Sequence, residues 1–179
     1  MAIKPTIYKM NISISDLDRN YYATQNLTLA LHPSETLERM TVRVMAFSLN
    51  AMERLSFTKG LSATDEPDIW AKTLDDQIEL WVDVGEPSVD RIKKAVSLSK
   101  LVKIYSFNTK SDVWWDKHGS SFLKYPIWVA RFNYAEIEAF ANLVERTMAF
   151  SITITGNTAF IATEKGECEL AWIDLKKLD

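Results

Sequence analysis

One cysteine, five glycines, five prolines and no surplus of basic residues mark what this 179-residue sequence does without. A lone Cys168 leaves no partner for an internal disulfide and no set of thiolates for a zinc site. Glu167 and Glu169 flank it, and their charges oppose a thiolate, which argues against a thiol nucleophile. So little glycine and proline leaves scant room for linkers or low-complexity tails. Lys and Arg number 21 against 24 Asp and Glu, a net charge of −3. Phosphate neutralisation supplies most of a non-specific nucleic-acid binder's affinity, so any such contact here needs a local basic patch. No run approaches about 18 consecutive apolar residues, and Met1 to Pro5 contains no apolar leader core. The expectation is a cytoplasmic protein with no membrane partner. Glycine-rich phosphate loops and the Gly-x-Ser-x-Gly elbow are also missing, which argues against nucleotide-dependent and serine-hydrolase chemistry and against an organic cofactor.

What is present suits a soluble core: 47% hydrophobic and 25% charged residues, read as one domain over 1–179. Thr6 to Ile14 alternates with period two, and Leu27, Leu29 and Leu31 do the same, predicting an opening hairpin across a longer loop. Ser34 is the expected N-cap of a helix running to about Glu53, with two apolar stripes and therefore burial on more than one side. Residues 57 to 74 read as a loop with one short strand or helical turn. Ile78 to Val84 is the clearest central strand, followed by a helix to about Lys100 and a strand over Leu101 to Phe107. Strand, helix and strand at that spacing predict a parallel pair. A helix around Val113 to Leu123, a strand Ile127 to Phe132, a helix Ala135 to Leu143 and a terminal β-meander complete the expected α/β fold, a mixed sheet flanked by helices with β-hairpins at both ends.

Chemistry concentrates in Asp65-Glu66-Pro67-Asp68 and in Ile78-Glu79-Leu80-Trp81-Val82-Asp83-Val84-Gly85. Alternation puts Glu79, Trp81 and Asp83 on one strand face. A Pro-Asp pair ahead of a strand bearing a second acid resembles the metal-dependent nuclease core written PD-(D/E)XK, except that Gly85 stands where that pattern carries lysine. Two converging acids would hold Mg²⁺ or Mn²⁺, lowering the pKa of bound water, while a cation orients the nucleophile. Asp68 and Asp83 are the candidate metal ligands, with Glu38 or Glu79 in support. The displaced cation is sought among Arg91, Lys93, Lys94 and Lys103, and Lys94 is the choice for that role. The plainer alternative is that Asp68 caps a turn and that Glu79 and Asp83 lie on a solvated face. Trp70, Trp81, Trp114 and Trp115 suit base stacking, though packing is the commoner role. His32 and His118 form no metal-binding pair and read as capping or exposed residues.

Several segments then match a wider pattern: Ile7-Tyr8-Lys9, Asp18-Arg19-Asn20-Tyr21-Tyr22, Leu31-His32-Pro33-Ser34-Glu35-Thr36 with Glu38-Arg39-Met40, Leu55-Ser56-Phe57-Thr58-Lys59-Gly60-Leu61, Glu66-Pro67-Asp68-Ile69-Trp70 and Val113-Trp114-Trp115. Through nearly its whole length the chain resembles the YaeQ family of bacterial proteins. That resemblance implies a topological variant of the PD-(D/E)XK nuclease-like fold, with a site at Asp68 and Asp83, Glu38 from the helix and a displaced basic residue. Two readings follow. One is a divalent-metal-dependent nuclease or phosphodiester hydrolase acting on nucleic acid. The other is a catalytically inactive scaffold that binds a protein partner or regulates one.

Overall fold

A computed structural model describes residues 3–59 and 64–178. Gly60 and Leu61, quoted above within a motif, lie outside the described residues. The opening alternation forms the expected hairpin, β1 (Thr6–Asp16) against β2 (Tyr21–Leu31), in unbroken antiparallel register from Thr6–Leu31 to Asp16–Tyr21. Asp16 closes its turn by accepting the backbone N–H groups of Asp18 and Arg19.

Helix α1 (Leu37–Leu49) is shorter at both ends than the sequence predicts, and Thr36, rather than Ser34, caps it by accepting the Arg39 N–H. Ser34 is diverted into a tight turn, where its hydroxyl meets His32 Nδ1 at 2.7 Å and the Glu35 N–H donates to the His32 carbonyl. Every residue from Met40 to Ser48 is buried, which is the outcome the two apolar stripes call for. Strand β3 (Leu55–Phe57) runs up to the stretch 57 to 74 and β4 (Ile69–Lys72) is the short strand within it, both too brief to show a period of their own. The parallel core follows: β5 (Ile78–Val84), α2 (Val89–Leu98), β6 (Ser99–Ser106), α3 (Ser111–Phe122), β7 (Ile127–Phe132) and α4 (Tyr134–Ala141). The meander β8 (Thr147–Thr155), β9 (Thr158–Thr163) and β10 (Gly166–Lys176) ends the described chain.

All ten strands of the described residues join one mixed sheet in the order β2-β1-β8-β9-β10-β7-β6-β5-β4-β3. It curls almost into a barrel around α1, whose side chains share one core with residues of nearly every strand, from Ile12 and Leu29 to Val82, Ile152 and Leu170. A fully buried Met, Val or Ile there contributes about 1.5–3 kcal/mol, so a helix enclosed on all sides is a large share of the driving force. Strand β5 divides two cores. Leu80, Val82 and Val84 face α1, whereas Trp81 packs with Ile92 and Ala95 of α2 and Phe122 of α3. The terminal strands β2 and β3 face each other across the unclosed seam, a cleft of about 550 Å³ reached by Ala30, Phe57, Glu35 and Arg43. No helix of the described residues is long and apolar enough to cross a membrane.

Candidate functional site

The register that pairs Ile69 with Val82 places Asp68 beside Asp83, and the Asp68 N–H donates to the Val82 carbonyl at 3.0 Å. The two candidate acids are therefore neighbours at one end of the sheet, and both are buried. Each has a cation. Arg91 of α2 forks onto Asp83, with Nε 2.7 Å from Oδ2 and Nη2 3.0 Å from Oδ1. Arg39 of α1 donates from Nη2 to Asp68 Oδ1 at 2.8 Å, and the Val84 N–H donates to Asp68 Oδ2 at 2.8 Å. All four carboxylate oxygens thus accept a charge-assisted or backbone hydrogen bond.

Electrostatics at the pair are finely opposed. Burial raises the Asp83 pKa above its ordinary value and outweighs Arg91, and the nearby Asp68 charge pushes the same way. The Trp81 indole N–H, fully buried without a partner in good geometry, adds a small stabilisation of the Asp83 carboxylate. Arg91 is held more firmly charged, first by Asp83, and its fork is anchored further by the carbonyls of Thr64 and Glu66. Burial works against the charge of Arg39, yet Asp68 and then Glu35 overcome it.

The lattice continues into α1. Glu35 accepts from Arg39 Nη1 at 2.8 Å and from Arg43 Nη2 and Nε at 2.7 and 3.0 Å. Arg43 also donates to the Ala30 carbonyl at 3.0 Å, tying the helix to edge strand β2. On the other side Glu86 receives the backbone N–H and the side-chain amide of Asn108, and burial raises its pKa although Arg39 is near. Glu35, Arg39 and Glu86 were not among the candidates read from the sequence. For Glu35 and Arg39 the signal was a spacing of four, which stacks Arg39 and Arg43 on one stripe of α1 with Glu35 just ahead of its cap; Glu86 had no such signal.

Other candidates lie elsewhere. Lys94 points outward to exposed Asp65 at 2.9 Å, so Arg91, one turn earlier, is the cation that reaches the acids. Glu38 is half-buried near α4, where Tyr134 has its pKa raised by desolvation and then by the charges of Glu38 and Glu138. Glu79 shares the face of Asp83 but sits four residues back, about 13 Å along an extended strand. Trp81 is 1% exposed and forms the floor beneath Arg91, 5.8 Å from its ring, so it offers no stacking face to an unstacked base. Cys168 is half-buried, and its thiol is pushed up to about 11 by burial first and then by Glu136 across in α4; neither sequence neighbour is the cause.

Two features bear on metal chemistry. Among the described residues no three His, Cys, Asp or Glu side chains gather as a cation-binding group. The oxygens of Asp68 and Asp83 are already committed to donors, so this arrangement fits a divalent ion only if a guanidinium leaves. Gly85 gives the second. Its N–H donates to the Tyr105 carbonyl at 2.8 Å, and its φ of +111° lies where L-residues are strained, although no atom stands within 4 Å of an added Cβ. Lysine is disfavoured there by backbone conformation and not by lack of space. Gly85→Lys is expected to cost about 1–3 kcal/mol in urea unfolding. Unchanged stability in that variant would show that the strand end relaxes freely.

Comparison with known proteins finds the same fold elsewhere. Residues 1–172 match the family described as YaeQ protein. The chain is 38% identical to protein YaeQ of Escherichia coli (strain K12) over 96% of this chain and 98% of that one, and 37% identical to YaeQ of Salmonella typhi with the same coverage. The crystal structure of YaeQ from Xanthomonas axonopodis pv. citri superposes with a TM-score of 0.94 at 35% identity, covering 97% of this chain and 99% of that one. That of Pseudomonas syringae YaeQ gives 0.92 at 32% identity, covering 96% of each. With its hairpin, enclosed helix and curled sheet all shared across that length, the chain belongs to the YaeQ family.

Proposed function

We propose that this chain is a binding or regulatory protein on a PD-(D/E)XK nuclease-like scaffold, with arginines standing where a nuclease of that type holds its metal. The observation that carries the reading is the commitment of all four oxygens of Asp68 and Asp83 to Arg39, Arg91 and the Val84 N–H. A guanidinium forked onto a buried carboxylate gives rigid orientation without the mobile ligand positions that metal-assisted hydrolysis needs. The acidic balance of the chain favours a protein partner over a nucleic-acid backbone.

A second reading keeps the metal. It draws support from the adjacency of two buried acids at a sheet end, and from the partial exposure of Arg91, whose side chain is 31% accessible. Release of Arg91 would free both oxygens of Asp83, and Asp68 and Asp83 would then be the ligands of Mg²⁺ or Mn²⁺ in a nuclease.

Calorimetric titration with Mn²⁺ separates the two. The binding reading expects no saturable heat from the parent chain, and none from a folded Asp83→Asn variant. Saturable Mn²⁺ binding that disappears in Asp83→Asn, together with Mn²⁺-dependent cleavage of DNA or RNA lost in Asp68→Ala, would establish the nuclease reading instead.

A further inference from the structure

The two edges of the sheet are built differently. Strand β3 is three residues long and offers little to pair with, whereas β2 runs for eleven. Natural edge strands are kept from pairing by charged side chains, proline, bulges or brevity. Strand β2 has none of these: Tyr21 to Leu31 contains no charged residue, proline or glycine, and its register to β1 is unbroken. The free side of this edge follows from the pairing. The Lys9 N–H donates to the Arg146 carbonyl on the β8 side, so Thr28, opposite Lys9, turns its own N–H and C=O away from β1. By alternation Tyr22, Thr24, Asn26 and Ala30 do the same. The Ala30 carbonyl accepts from Arg43, and no other of these backbone groups has a partner among the described residues.

Three features say which strand fits this edge. The middle seam-facing residue, Asn26, accepts from Asn11 Nδ2 at 2.7 Å, and its own side-chain N–H groups have no acceptor among the described residues. A second Asn26 directly opposite would exchange amide hydrogen bonds with it reciprocally, as a two-fold axis requires. The ends of the strand are complementary as well. An antiparallel pair centred on Asn26 sets Thr24 opposite Thr28 and Tyr22 opposite Ala30. Tyr22 is 58% exposed, and Ala30 lines the seam cleft of about 550 Å³. The walls of that cleft are mixed, Pro33 and Phe57 beside His32 and Lys59, with Glu35 and Arg43 paired to each other. Such a lining suits an aromatic ring that carries one hydroxyl. Finally, a strand without charge meets its own copy without repulsion.

We propose that β2 pairs with β2 of a second copy of this chain, antiparallel about a two-fold axis at Asn26, so that the two sheets join into one. Each copy gives its Tyr22 to the Ala30 end of the other. The pairing makes no use of Asp68 or Asp83 and stands whichever reading of those acids holds.

Sedimentation equilibrium of the full chain tests it. Specific interfaces dissociate at micromolar concentrations or below, so a reversible dimer is expected at about 100 μM. Asn26→Lys sets two ammonium groups opposite each other and is expected to weaken dimerisation about tenfold or more. Thr155→Lys, which adds the same charge at an exposed position of β8, is expected to leave it unchanged. A parent chain that stays monomeric at about 100 μM overturns the proposal and leaves the edge to a strand of another protein. A dimer equally tight in Asn26→Lys overturns it too, since the contact then lies on another face. Should Asn26→Lys not fold, the parent decides: hydrogen exchange at the amides of Thr24, Asn26 and Thr28 is expected to slow as the protein is concentrated. Exchange there that is independent of concentration overturns it equally.

Discussion

Glu35→Ala is expected to lower stability by about 3–5 kcal/mol, because it strips the shared acceptor from two arginines at once. Glu35 and Arg43 are 8% and 3% exposed, so the little water that reaches them from the cleft is a poor replacement for the lost carboxylate. Arg43 would be left with the Ala30 carbonyl, and Arg39 with Asp68 and the Val84 carbonyl. For a chain of this size the loss corresponds to a fall in melting temperature of about 6–20 °C. Glu35→Gln retains one acceptor and should lose visibly less. A change below about 1 kcal/mol in Glu35→Ala, near the effect of an ordinary surface pair, would mean the arginines find other partners.

The second large effect belongs to Arg91. Arg91→Met leaves Asp83 buried with no cation and is expected to cost about 3 kcal/mol at neutral pH. Asp83→Asn removes the charge but keeps an acceptor, so the double variant should recover part of that loss, with a coupling above about 1 kcal/mol in the cycle. The pH dependence carries a definite sign. Asp83 already sits above its ordinary value of 3.8, so the native state holds this proton more tightly than the unfolded chain. Such a group contributes stability that is present below the ordinary value and lost as pH rises through the raised one. Removing Arg91 removes the main influence that lowers it, and the pKa climbs further. The deficit of Arg91→Met relative to the parent should therefore be widest at neutral pH and shrink as pH falls through the raised values, where native Asp83 is protonated with or without Arg91. A deficit independent of pH would assign the cost of this variant to lost packing of the arginine stem.

How much of this was legible depended on whether the cause was local. Alternation in Thr6 to Ile14 marked β1 because one face is covered, Ile78 to Val84 marked β5 because Glu79 and Asp83 interrupt its apolar residues at alternate places, and the all-round apolar pattern of α1 anticipated its enclosure. Of the β3–β4 pair, the stretch 57 to 74 showed only one short strand or helical turn, since three and four residues carry no period; β4 is held by its register to β5, and β3 by its register to β4. The face shared by Trp81 and Asp83 was evident, but not that α2 covers it; that is a fact of the crossover, and it turned a candidate stacking surface into a buried floor. At the site, Asp68 and Asp83 stood out through composition and position. Of their arginines, Arg91 was among the candidate cations but the lysine of the nuclease pattern favoured Lys94, one turn later, and Arg39 was not a candidate because it reaches Asp68 across 29 residues of sequence.

The position of β8 has a consequence for how the chain must come together. Strand β1 is flanked by its hairpin mate and by β8 in parallel, so Lys9 meets Thr147, roughly 140 residues later, a closure of very high contact order. During synthesis the opening hairpin and the thoroughly apolar α1 leave the ribosome long before the strands that will wall them in. Until the C-terminal meander arrives, the helix that anchors Asp68 through Arg39 lacks three of the ten strands of the described sheet around it. Made after both, the meander is what closes the sheet between the opening hairpin and the parallel core.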